Sequence, residues 1–215
     1  KDNTGATASR SFTVIYNPPA GPPKITSASP SPNSTAPGRT ITIIYGVTNP
    51  GAARQVLLGA SIRLSGGPTL SDPANDIKVT LPSGSSSVSR RFTVATTAPL
   101  GTYDLLVSIV EDANSNGKID SRDQLLDFKT FDSVLQIAKF SIGMRVRVTQ
   151  NLNVRTGPGL EYPEIDDPDY PGYAPAGTLG TIIGGPVEAN GYTWWKVQYD
   201  AGYTGWSVGN GLEQL

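Results

Sequence analysis

Cysteine and histidine are both absent from the 215 residues of this chain. Without cysteine there is no disulfide framework, no thiolate nucleophile and no Cys-ligated metal. Without histidine the chain lacks the side chain most used for proton transfer near neutral pH and the commonest transition-metal ligand. Charge is also sparse. Seventeen Lys and Arg stand against 18 Asp and Glu, a net charge of −1, with no block of like charge and no basic stripe. Such a surface supplies no field for nucleic acid or an anionic membrane. No apolar run approaches the roughly 20 residues of a membrane span, so membrane insertion is not expected. The first ten residues, KDNTGATASR, lack the apolar segment of a signal peptide. The chain is therefore expected to be a piece of a longer protein, with further domains linked upstream.

Turn formers are abundant instead. The chain carries 24 Gly and 18 Pro, with 37% hydrophobic and only 16% charged residues. This composition suits strands joined by loops and argues against long amphipathic helices. The length allows two small domains, each with its own core. Residues 1–23 are expected to be the end of a preceding β-domain plus a linker. Phe12, Val14 and Tyr16 alternate as in a last hairpin over residues 1–17, and Pro18, Pro19, Pro22 and Pro23 make a semi-rigid spacer. Over residues 24–139 strand signals recur at the spacing of a β-sandwich. Ile41, Ile43, Tyr45 and Val47 alternate in RTITIIYGVTN, and QVLLGASIRL, SVSRRFTV, GTYDLLVSIVE and SVLQIAKF follow between turn-rich segments. Residues 140–215 read as four or five short strands with tight Gly turns, which suits a small β-barrel. The fold class expected is all-β.

One stretch of the sandwich segment carries metal chemistry. In DANSNGKIDSRD, counted from position one, Asp112, Asn114 and Asn116 stand at one, three and five, and Gly117 stands at six. Lys118 offers its carbonyl at seven, Asp120 stands at nine and Asp123 at twelve. Hard oxygen donors at these positions wrap Ca2+, the glycine permits the sharp turn, and Ile119 at position eight supplies an apolar contact beneath the loop. An ordinary Asn-Gly turn closing a hairpin would also use SNGK. With Asp123 rather than Glu at position twelve, the loop resembles dockerin-type calcium loops. The preceding YDLLVSIVE is β-patterned, however, so paired loop-helix units are not expected. The calcium is expected to staple a long β–β connection and not to act as a sensor.

Two family resemblances add to this reading. The segments PGRTITIIYGVTNPG and APLGTYDLLVSI resemble immunoglobulin-like modules of bacterial surface and secreted proteins, over about half the chain. Such modules share little beyond a core pattern. The block Asn153, Val154, Arg155, Gly157 and Pro158, the turn Pro175 and Gly177, then Trp194, Lys196, Val197 and finally Gly205 and Trp206 occur in the order of the bacterial SH3 family. The likeness extends over about 75 residues. It implies an SH3-like barrel that binds and does not catalyse. Its expected partner is peptidoglycan or another cell-wall component, often the peptide part, in an extracellular or envelope setting. Val154, Arg155 and Val197 are expected to serve the fold, whereas Trp194 and Trp206 suit either role.

The chain departs from that family in one loop, EIDDPDYPGY, which is several residues longer than usual. It sets Asp166, Asp167 and Asp169 beside Tyr170 and Tyr173, a pairing that suits a peptide bearing a free amine, although a solvated Pro-stiffened loop is the plain alternative. With Tyr162, Trp194 and Tyr203 on the facing wall, and Trp206 as a further candidate contact, this loop would border a ligand groove. Catalysis is not expected, because no nucleophile elbow, phosphate loop or metal-histidine cluster is present. Two rival roles are a calcium-rigidified stalk that displays another domain, and a carbohydrate-binding module using stacked aromatics.

Overall fold

Ile41, Ile43, Tyr45 and Val47 are all buried, each separated from the next by a less buried residue, along a strand over Thr40–Asn49. That period of two builds most of the molecule, because a strand packed on one face buries every second side chain. A computed structural model describes residues 20–166 and 169–215. The expected hairpin over residues 1–17, Pro18, Pro19 and Asp167 lie outside the described residues. The protein is all-β, with only two short 3-10 turns among the described residues.

The first part comprises β1 (Lys24–Ser31), β2 (Ser34–Thr35), β3 (Thr40–Asn49), β4 (Arg54–Leu64), β5 (Thr69–Ser71), β6 (Ile77–Leu81), β7 (Gly84–Thr93), β8 (Gly101–Glu111) and β9 (Gln124–Ile137). One sheet has the order β1-β3-β7, and the other the order β2-β9-β8-β4-β5, with β6 also on β4. Ile25, Ile43 and Tyr45 of the first sheet and Val56, Leu58 and Val107 of the second belong to one core. The Tyr45 hydroxyl crosses it to donate to the Gly59 carbonyl at 2.9 Å.

Arg90, on β7, is a charged residue buried in this largely apolar interior, with a side chain 0% exposed. Its Nη1 lies 3.0 Å from Asp76 Oδ1. Nε donates to the Asn75 carbonyl at 3.0 Å, Nη2 to the Asp72 carbonyl at 2.6 Å and Nη1 to the Ala60 carbonyl at 3.4 Å. Asp72 accepts the Thr93 amide at 2.6 Å. One buried guanidinium thus ties β4, β7 and the turn over Pro73–Asn75 together, and its donors have partners, as burial requires.

Burial pushes the Asp76 carboxyl up to about 6 from 3.8, against the pull of Arg90 and with a smaller push from Asp72. The folded state therefore binds more protons than the unfolded state between those values. This group's contribution to stability is full below pH 3.8 and is lost as pH rises through about 6. The loss is expected to be on the order of 2 kcal/mol. Urea unfolding at several pH values, with Asp76→Asn as the comparison, reads it directly. The stability difference between wild type and variant should change across this window, and a constant difference would refute the assignment.

The second part comprises β10 (Arg145–Val148), β11 (Leu152–Asn153), β12 (Tyr173–Ala174), β13 (Leu179–Ala189), β14 (Tyr192–Tyr199), β15 (Thr204–Val208) and β16 (Leu212–Gln214). A five-stranded sheet in the order β15-β14-β13-β10-β16 forms a half-barrel over a core containing Val146, Val154, Ile182, Trp195 and Val197. Register shifts around Gly184 bend β13. Gly185 is needed there, since its φ is +95° and a Cβ would lie 2.7 Å from the Trp194 carbonyl oxygen. Gly205 is needed for a different reason. A Cβ would come within 2.9 Å of the Arg155 carbonyl oxygen, where the Arg155 and Trp206 backbones exchange two 2.8 Å hydrogen bonds.

The two parts pack directly. Ala36 and Ala138 join the core of the second part. Lys139 Nζ donates to the carbonyls of Gly209 at 3.0 Å and Leu212 at 2.8 Å.

Candidate functional sites

Residues 112–123 connect β8 to β9, and the side chains singled out by spacing turn inward on the loop's own backbone. Asp112 accepts the amides of Asn116 at 3.0 Å and Gly117 at 2.9 Å. Asn114 Oδ1 accepts the Asn116 amide at 3.0 Å, and Asn116 Oδ1 accepts the Lys118 amide at 2.8 Å. Asp123 closes the loop by accepting the amides of Ala113 at 3.1 Å and Asp120 at 2.9 Å. Gly117 has φ +73°, so the expected sharp turn is present.

The carboxylates of the loop are balanced by one cation from outside it, Lys78, and one within it, Arg122. Lys78 of β6 lies 2.8 Å from Asp112, and this contact is the main cause that holds the Asp112 carboxyl below the usual carboxylate range. Arg122 does the same to Asp120 at 2.9 Å, assisted by the side-chain amides of Asn114 and Asn116. Among the described residues no three His, Cys, Asp or Glu side chains close on one point. Asp112, Asp120 and Asp123 are instead interleaved with two asparagines, with the Lys118 carbonyl between them in sequence. A donor set made only of oxygens, part carboxylate and part amide, fits Ca2+ and disfavours thiophilic or imidazole-seeking metals.

Ile119 anchors this loop to the outer face of the larger sheet. A Cβ on Gly59 would lie 2.7 Å from Ile119 Cδ1 and 2.9 Å from Ser108 Oγ. The glycine therefore makes room for the isoleucine. Leu57 and Val110, cross-strand partners outside the inter-sheet core, are also buried. Gly59, Ser108, Ile119, Phe128 and Asp76 border a cavity of about 290 Å³ here.

The aromatic residues predicted for the second part are divided among different settings. Tyr170 and Tyr203 pack with ring centroids 4.4 Å apart, and Tyr203 stacks on Tyr199 at 4.8 Å. The Tyr170 hydroxyl bonds to the Ala201 carbonyl. Tyr162 is partly exposed and its ring covers Gly157, while its carbonyl accepts Arg155 Nη1 at 2.7 Å. Tyr173 pairs with Asn153 in a short ladder, Trp206 is half-buried beside Lys196 on β14, and Asp166 and Asp169 are exposed. Trp194 is buried, and its Nε1 donates to the Ala189 carbonyl at 3.0 Å. The structure brings Tyr170 and Tyr203 together but does not bring Trp194 to them.

Trp194 lines another opening, a cleft of about 390 Å³ that it shares with Leu160, Tyr192, Arg155, Gln150 and Asn210. None of the described residues between 161 and 173 lines it. The cleft adjoins that loop all the same, because Asn153 and Arg155 on its border both contact Glu164. Tyr192, Leu160, Gln150 and Asn210 were not singled out from sequence. A usable signal for Tyr192 was present, since it stands two residues before Trp194 on the same strand face, just after the Asn190-Gly191 turn.

Fold and sites together define an all-β protein of two packed parts, with an acid-amide loop on the first and an amide-bordered cleft on the second. No family model matches the sequence, and no curated protein matches it. Among solved structures, the chain is similar to the crystal structure of Spo0M, a sporulation control protein from Bacillus subtilis. Identity is 11%, over 91% of this chain and 89% of that one, with a TM-score of 0.32. A likeness that weak carries no argument about this chain.

Proposed function

We propose that the chain is a non-catalytic cell-wall-binding and anchoring region of a larger secreted or surface bacterial protein. In this reading residues 24–139 are an immunoglobulin-like sandwich stapled by Ca2+ at Asp112, Asn114, Asn116, Lys118, Asp120 and Asp123. Residues 140–215 are an SH3-like barrel that holds peptidoglycan. The observation that carries the reading is the bacterial-SH3 motif block. Arg155 and Trp206, from its first and last motifs, are hydrogen-bonded neighbours, and Trp194 opens on a cleft. The loop over 164–173 is assigned to the amine of a stem peptide, through the exposed Asp166 and its neighbours.

Sedimentation with purified peptidoglycan tests this. The chain should pellet with walls from at least one bacterial class, and should do so without releasing soluble fragments. If it stays in the supernatant with walls of several classes, the binding role is refuted and the second reading takes its place. That second reading is a rigid stalk displaying another domain. It is favoured by one observation, the Lys139 bonds that lock the two parts together with shared core residues.

A further inference from the structure

The lining of the cleft is chemically selective. No carboxylate borders it, so it offers nothing to the free amine that the neighbouring loop is suited to hold. Its polar edge is made of the Arg155 guanidinium, which the Tyr162 carbonyl and Glu164 already engage, and of four side-chain amides, Gln150, Asn151, Asn153 and Asn210. Two of these are already engaged: Asn151 Oδ1 accepts the Ala176 amide at 3.2 Å, and Asn153 donates to Glu164. The side chains of Gln150 and Asn210 have no hydrogen-bond partner among the described residues. Each presents one carbonyl and one NH2 group to the opening.

The apolar edge is equally specific. Tyr192 is 40% exposed and Leu160 is 52% exposed. Both are held in place. Asn190 Oδ1 accepts the Leu160 amide at 2.9 Å, which ties the loop of Leu160 to the hairpin of Tyr192. Trp194 meets Tyr192 edge-on, with centroids 6.4 Å apart and planes at 78°. A preorganised phenol ring, an aliphatic side chain beside it and free amides opposite match one kind of ligand: a pyranose bearing an acetamido group. The sugar's polarised C–H bonds stack on the electron-rich ring face, the acetamido methyl meets Leu160, and the acetamido and hydroxyl groups exchange hydrogen bonds with the amides.

We propose that this cleft binds a saccharide of the N-acetylhexosamine class, stacked on Tyr192 and hydrogen-bonded by Gln150 and Asn210. The proposal rests on the wall-binding reading and divides its labour. Glycan lies in the cleft, and the peptide attached to it runs along the adjoining 164–173 loop, which Glu164 joins to the cleft border through Asn153 and Arg155.

Titration of the whole chain with a trimer of β-1,4-linked N-acetylglucosamine tests it, read by calorimetry and by NMR of the Trp194 indole N–H. Binding should shift that signal. Tyr192→Ala should weaken binding about tenfold or more, and Tyr192→Phe, which keeps the stacking face, should stay within about threefold. Unchanged unfolding midpoints show that the variants are folded. The perturbed indole signal of the wild type tests the location without any variant. No binding at up to roughly 10 mM trimer, or undiminished binding by Tyr192→Ala, overturns the proposal. If the chain pellets with peptidoglycan and only free stem peptide competes, the saccharide proposal fails and the wall-binding reading stands. If the trimer binds but intact walls do not, the saccharide site stands and the wall-binding reading fails. Neither trimer nor wall binding would defeat both.

Discussion

Adding calcium to metal-stripped protein is expected to raise the midpoint of thermal unfolding by on the order of 10 °C at saturation, and Asp112→Ala is expected to abolish the rise. An ion that binds only the folded state stabilises it by linkage, about 2.7 kcal/mol at a concentration one hundred times its dissociation constant. The unfolded chain has no equivalent cage, because the donors are brought together by turns closed through the loop's own amides. Asp112 is the decisive substitution. In the proposed site it would supply a ligand, and it accepts the Asn116 and Gly117 amides that shape the turn. Magnesium should give a much smaller shift, since it keeps its waters and demands a tighter octahedron than this spacing provides. Coincident melting curves with millimolar calcium and with chelator would remove the metal from the account and leave the loop as a hydrogen-bonded β–β connection.

The sequence disclosed the framework more completely than the sites, for a physical reason. Strands with one face on a core announce themselves through alternation, and β3, β4, β7 and β8 each contain a segment that the pattern had marked. β1 was less legible, because KITSASPS mixes small and polar residues with Pro30 and buries them irregularly. The turn over residues 112–123 was legible from its contiguous spacing, down to the positive φ of Gly117, and the metal proposed for it remains a reading of that spacing. What spacing did not disclose was how the loop is held. Gly59, whose missing Cβ makes room for Ile119, lies far away in sequence. The aromatics of the second part were harder still. Tyr170, Tyr203 and Trp194 look alike as residue types, yet two of them pack on each other and the third lines a cleft. Only the path of the sheet separates aromatics that pack on each other from one that lines a cleft. The same limit applies to Arg90, which in RRF is indistinguishable from Arg91 apart from its parity, although that parity turns it inward on the alternating strand.

Replacing Arg90 by Ala is therefore expected to cost about 3 to 5 kcal/mol, the largest single-residue effect predicted for this chain. The substitution would leave the Asp76 carboxylate without its cation, and it would strip donors from the carbonyls of Asn75, Asp72 and Ala60. Both losses are desolvation penalties, and these exceed the net value of the same contacts when made. The magnitude should depend on pH in a defined direction. Asp76 already titrates near 6 with Arg90 present. Without the guanidinium its carboxyl moves higher still, so at pH 5 it is neutral and the variant is spared part of the charge-burial cost that it bears at pH 7. Removing both charges together, as Arg90→Met with Asp76→Leu, should restore much of the loss, because a buried pair is commonly worth no more than apolar side chains of similar volume. Urea unfolding of wild type, the Ala variant and the double variant at pH 5 and pH 7 measures all of these differences. A cost below about 1 kcal/mol for Arg90→Ala at pH 7 would show that the guanidinium does not hold β4, β7 and the Pro73–Asn75 turn together.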